Sequence, residues 1–164
     1  MNYNKGGVTM KTWDYSREPI GENCILVDLG LRCINPRQIF CLSKPYERIR
    51  TENVSSNLRR SVEAYGWKDP SPQSLHIVRD PASGLYQVCS GGNHRAVLAY
   101  DLGLQEVPAS VSYLVPYELL TSGELEAYER ASGSEKLQLA IMMMIFLRLG
   151  WDIPKKYERP VRIR

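Results

Sequence analysis

The stretch Leu85–Pro108, LYQVCSGGNHRAVLAYDLGLQEVP, constrains the fold more than any other part of the chain. Leu85 to Cys89 has strand character and runs without a spacer into Ser90-Gly91-Gly92-Asn93-His94-Arg95. That polar corner opens a helical segment, Ala96 to Leu102, which Gly103 closes. A strand delivered into a helix through glycines collects unpaired backbone N–H groups at the positive end of the helix dipole. Arg95 adds a fixed charge, and the imidazole of His94 adds a group that exchanges protons near neutrality. An anion, most often a phosphate, suits such a corner.

Each residue of the corner has a role in that reading. Gly91 and Gly92 let the backbone approach a ligand closely, Asn93 offers amide donors and Ser90 a hydroxyl. Arg95 pairs bidentately with phosphate oxygens, and His94 donates to a phosphate or acts as a general acid or base. His94 and Arg95 are therefore the candidate catalytic residues. The competing reading makes Ser90 and Asn93 turn and cap residues, with His94 and Arg95 bonded locally or solvated.

The flanking sequence predicts the rest of the domain. Residues 1–23 mix Gly, Pro, Tyr and charge without periodicity and read as an extended arm. Ile25 to Leu31 is a strand, and Asn35-Pro36-Arg37 then breaks regular structure and presents Arg37 from a rigid corner. A loop with Pro45 and Tyr46 precedes a helix from Val54 to Gly66, in which Val54, Leu58, Val62 and Tyr65 form one buried stripe while Arg59, Arg60 and Glu63 face outward. Ser74 to Arg79 and Leu85 to Cys89 form a hairpin around Asp80-Pro81-Ala82-Ser83-Gly84, and residues 106–115 resume the strand pattern. The order predicts an α+β domain, a small mixed sheet with covering helices, over residues 24–116.

Residues 117–164 read as a C-terminal helical extension with a basic tail. Tyr117 to Ala131 is one helix or two short ones, and Ser134 caps a helix from Glu135 to Leu149 that Gly150 ends. That helix is apolar nearly all round from Leu139 to Leu147, so it is either central to the core or covered by a second copy or another protein.

Composition narrows the function classes. With 21 Lys and Arg against 18 Asp and Glu, a net charge of +3 does not by itself mark a nucleic-acid protein. The clusters Lys44, Arg48, Arg50, Arg59, Arg60 and Lys155, Lys156, Arg159, Arg162, Arg164 are candidate DNA-binding patches or ordinary solvated faces. The four cysteines have neither C-x-x-C pairing nor histidine partners at zinc spacing, so no metal site is expected from them, and Cys89 reads as a small buried hydrophobe. Free thiols without a signal peptide point to the cytoplasm, and the apolar run Leu139 to Leu147 is too short for a membrane span. His76 reads as structural; Asp69 and Asp80 read as turn residues or as holders of a divalent ion.

Five pieces in order carry a family resemblance over most of residues 25–115. They are Asn35-Pro36-Arg37 with Phe40, Leu58 and Ser61-Val62 before Gly66, the hairpin, Gly92-Asn93-His94-Arg95-Ala96, and Leu102-Gly103 with Val107-Pro108. Together they resemble the ParB/sulfiredoxin superfamily. The resemblance implies a nucleoside triphosphate or phosphate site, ATP or CTP with Mg2+, formed by the 90–95 corner with Arg37 approaching it. Asn93 stands where sulfiredoxins carry their reactive cysteine, and Gly91 where free-serine kinases carry an acid. Asn93 and His94 replace the Glu and Arg of the partition proteins. The branch that fits is a stand-alone ParB N-terminal, nuclease-like domain, with an NTPase or nuclease-like hydrolase activity as the leading expectation. A serine-kinase-like transferase borrowing Glu47, Glu52 or Glu63 is the alternative, and a protein-interaction module using helix 135–149 is the third.

Overall fold

A computed structural model describes residues 11–16, 22–69 and 71–159; the stretches 1–10 and 17–21, Pro70 and residues 160–164, with Arg162 and Arg164 of the basic tail, lie outside the described residues. Among these residues six strands make one mixed sheet: β1 (Asp14–Tyr15), β2 (Cys24–Ile34), β3 (Ile39–Leu42), β4 (His76–Arg79), β5 (Tyr86–Val88) and β6 (Val107–Pro116), in the order β1-β3-β5-β4-β6-β2. The hairpin β4–β5 is antiparallel, as its turn residues predict, and β2 pairs antiparallel with β6. The pairs β1–β3, β3–β5 and β4–β6 are parallel. The α+β architecture with a small mixed sheet is therefore observed directly.

Among the described residues five α-helices accompany the sheet: α1 (Tyr46–Thr51), α2 (Asn53–Tyr65), α3 (Asn93–Asp101), α4 (Ser122–Arg130) and α5 (Glu135–Leu149). Helix α1 occupies a stretch expected to be a loop. Pro45 sits at its N-cap, where a missing N–H costs nothing, and Glu52 in extended conformation separates it from α2. Part of the N-terminal arm is also ordered into the sheet. β1 pairs with β3, and Trp13 stacks on Tyr46 at 6.5 Å and meets the edge of Tyr100 at 5.5 Å.

The stripe expected on α2 is not buried as a whole. Leu58 and Val62 are half-buried, while Val54 and Tyr65 are 56% and 70% exposed. The reason is geometric. The helix meets α1 and α3 along one side through Ser55, Leu58 and Val62, and Val54 and Tyr65 fall outside that contact.

Helix α5 turns one face into the core, as the first of its two expected readings has it. Met142, Ile145 and Phe146 join the core built on the sheet, where Phe146 packs 5.1 Å from Tyr113 and stacks 5.7 Å from Trp151. The opposite face leaves Met144 and Leu147 74% and 82% exposed. The chain after α5 runs back along β2: Lys156 bridges to Arg32, and Cys33 N–H donates to the carbonyl of Lys155. This covers a sheet edge that would otherwise present unpaired backbone groups. No helix among the described residues is long and apolar enough to cross a membrane.

Candidate functional site

The corner between β5 and α3 is shaped by backbone contact. Gly92 has φ 99°, and a Cβ there would lie 2.7 Å from Leu75 Cα and 2.8 Å from the Ser74 carbonyl oxygen. Its small size thus serves packing of the corner onto the chain entering β4. Helix α3 begins three residues earlier than the sequence suggests, so Asn93, His94 and Arg95 are its first turn. Gly92 provides no side-chain cap, and their backbone N–H groups keep the orphan character of a helix start.

The three side chains of that turn separate. Asn93 is buried and belongs to the scaffold: its Oδ1 accepts from Ser43 N–H at 2.9 Å, and its Nδ2 donates to Ser43 Oγ at 2.9 Å. Ser43 Oγ in turn donates to the carbonyl oxygen of Ser90 at 2.8 Å, locking the corner to the end of β3. The amide that the sequence offered to a ligand is spent on Ser43. Arg95 is spent as well. It forms an ion pair with Asp69, donates to the Ser71 carbonyl at 3.1 Å and to Ser74 Oγ at 2.9 Å, and lies over the Trp67 ring at 5.5 Å. Burial pulls its pKa below the ordinary value.

His94 is held at both ring nitrogens. Nε2 lies 2.7 Å from Glu52 Oε2, and Nδ1 lies 2.7 Å from Ser55 Oγ. Loss of hydration opposes ionisation of Glu52, but Lys44, the His94 hydrogen bond and Arg48 outweigh it and hold the carboxyl below its ordinary value. His94 opens onto a cleft of about 370 Å³ between α1, α2 and α3. Tyr46, Arg50, Arg59 and Arg60 line it, with Val97 and Leu98 as an apolar floor and Glu63 and Asp101 as its acids. Arg59 is paired with Asp101 at 3.0 Å and Arg50 with Glu47 at 3.7 Å; among the described residues Arg60 has no partner.

The other expected site residues lie apart from this cleft. Ser90 and Gly91 are exposed at the corner, and neither lines the cleft. Arg37 sits on a short turn, Pro36–Gln38, where Asn35 Oδ1 accepts its backbone N–H. The turn packs near α3, but Arg37 does not line the cleft, and among the described residues its guanidinium has no partner. Asp80 closes its turn by accepting from Ser83 N–H and Oγ at 2.7 and 2.6 Å, and Asp69 Oδ2 accepts from the Trp67 indole at 2.7 Å. Cys89 is half-buried, and burial with Cys41 nearby pushes its thiol up, away from thiolate chemistry. Among the described residues no group of three His, Cys, Asp or Glu side chains is placed to hold a metal.

Sequence reasoning missed Ser55 and the cleft positions of Arg50, Arg59 and Arg60. The signal was the basic run from Lys44 to Arg60, of which Arg50, Arg59 and Arg60 come together beside His94 only when α1 and α2 pack against α3.

No protein-family model matches the sequence, and no curated protein matches it. Among solved structures the chain is similar to the sulfiredoxin of Arabidopsis thaliana, with 20% identity and a TM-score of 0.31 over 53% of this chain and 83% of that one. A likeness at that identity and score transfers no chemistry.

Proposed function

We propose that this domain binds the phosphate groups of a nucleoside triphosphate, ATP or CTP, in the cleft between α1, α2 and α3, and acts on them through His94 as an NTPase or nuclease-like hydrolase. One observation carries this reading: a histidine fixed between Glu52 and Ser55 opens onto a cleft lined by Arg50, Arg59 and Arg60. Guanidinium groups bind phosphate oxygens without losing charge, and a histidine held at both ring nitrogens is oriented to move a proton. The motif resemblance at residues 92–96 supports the same ligand class. Mg2+ enters only as a companion of the phosphates, since no three-ligand cluster is placed to hold it among the described residues.

The test is thermal melting with ATP, CTP, GTP and UTP, with and without Mg2+. At least one nucleotide is expected to raise the melting temperature, and Arg60→Ala to remove most of the rise. No shift with any of the four sinks the reading.

A kinase-like transferase is the second reading, because the carboxylate it needs stands at Glu52, hydrogen-bonded to His94. Formation of phosphoserine from free serine and a nucleoside triphosphate tests it, and absence of that product with a nucleotide that binds counts against it.

A further inference from the structure

Ser55 is in the first turn of α2, where its hydroxyl is in reach of two acceptors: it donates to the carbonyl oxygen of Ile49 at 2.6 Å, and its Oγ lies 2.7 Å from His94 Nδ1. Glu52 holds the other ring nitrogen at 2.7 Å. An ionised carboxylate only accepts, so Nε2 carries a proton, and a neutral ring then turns the lone pair of Nδ1 toward Ser55. Hydroxyl, imidazole and carboxylate in hydrogen-bonded sequence are the arrangement that activates a weak oxygen nucleophile. Ser55 also lines the cleft, so a bound group can reach it. The positive end of the α2 dipole favours negative charge developing on its oxygen.

We propose that Ser55 is the nucleophile of this cleft: His94 takes its proton, Glu52 positions the ring, and Ser55 Oγ attacks a phosphoryl centre. The proposal rests on the reading of the cleft as a phosphate site and adds a covalent step to it. As the Oγ–P bond forms, the hydroxyl proton passes to His94 Nδ1. The bond from phosphorus to the leaving oxygen breaks, that oxygen keeps the electron pair, and His94 returns the proton to it. The products are phosphoserine at position 55 and the protonated leaving group, a phosphate, a nucleotide or an alcohol according to the donor.

The Ile49 carbonyl sets the contrast. If it alone claims the Ser55 proton, the hydroxyl is a structural tie between the end of α1 and α3, and His94 Nδ1 must donate to Oγ rather than accept from it. That arrangement has no free base and forms no covalent product.

Diisopropyl fluorophosphate separates the two. Reaction forms an Oγ–P bond and expels fluoride with the bonding pair, the proton leaving through His94. The full chain is expected to gain one diisopropylphosphoryl group on Ser55, located by peptide mass. His94→Gln should lower the labelling rate by roughly 100-fold or more, in the range of general-base loss. Glu52→Gln should also lower it steeply, by up to about 10⁴-fold where the amide holds the ring in the wrong tautomer, with Glu52→Asp recovering part of the rate because the carboxylate returns. An unmodified Ser55 in protein that melts cooperatively overturns the proposal. So does labelling of Ser56 at an equal rate, or a His94→Gln variant that labels as fast as the unaltered protein. Melting with nucleotides on the same samples keeps the two readings apart. A shift without labelling removes the nucleophile and leaves the phosphate cleft; labelling without a shift removes the cleft's nucleotide and keeps the nucleophile.

Discussion

His94 Nε2 meets Glu52 Oε2 at 2.7 Å across the junction of α1 and α2. Glu52 stands in extended conformation between the two helices, and from there its carboxylate reaches the first turn of α3.

The pH dependence of stability follows from this contact. Glu52 is held below its ordinary value of 4.5, so it favours the folded state while ionised in both states. That contribution is complete above the unfolded value and fades as pH falls from 4.5 through the lower folded value. Glu124, held down by its hydrogen bond to Arg148, fades in the same direction. The difference in melting temperature between the unaltered protein and Glu52→Gln is therefore expected to shrink as pH falls below the ordinary carboxylate range. Melting curves in a buffer series check this, and a difference that grows on acidification contradicts it.

Arg95 was the residue that the corner marked for phosphate, and its surroundings assign it to the scaffold. The pair with Asp69 leaves the side chains 15% and 11% exposed. Arg95→Ala should therefore destabilise the domain by about 3 kcal/mol, the order expected when one partner of a buried pair is removed. Urea unfolding measures it. Arg95→Met combined with Asp69→Leu should recover much of the loss, because no uncompensated charge remains.

Two adjacent glycines give a sharper contrast. Gly92→Ala puts a Cβ 2.7 Å from backbone at Leu75 in a left-handed conformation, whereas at Gly91 the nearest atom, the Ser74 carbonyl oxygen, is at 3.5 Å. The first substitution should cost about 3 kcal/mol or prevent folding, and the second less than about 1 kcal/mol. Equal unfolding midpoints for the two variants would refute this account of the corner.

Some of the molecule is legible in the sequence because its signals are local. The hairpin turn at Asp80–Gly84, the Ser134 cap and the Gly150 stop of α5 depend on a few neighbouring residues, and each appears where those residues put it. The partners of α3 depend on distant contacts. Asn93 meets Ser43 across 50 positions and His94 meets Ser55 across 39, pairings set by how distant segments pack rather than by neighbouring residues. The α2 stripe shows the same limit. Its periodicity identifies a helix and the face that turns inward, but the length of neighbour available to cover that face is a property of α3.

Helix α5 allows the core and the surface to be compared on adjacent residues. Phe146 is fully buried against Tyr113 and Trp151, and Leu147 is 82% exposed. Phe146→Ala should destabilise by about 3–5 kcal/mol, since it removes a fully buried ring packed against Tyr113 and Trp151. Leu147→Ala should stay within about 0.5 kcal/mol. Chemical denaturation of both variants is the measurement, and a Leu147 loss of the same size as that at Phe146 would show that its side chain is covered in solution. Sedimentation of Met144→Glu and Leu147→Glu then addresses the cover itself. An unchanged sedimentation coefficient in folded variants argues against a second copy on this face, and a drop in mass argues for one.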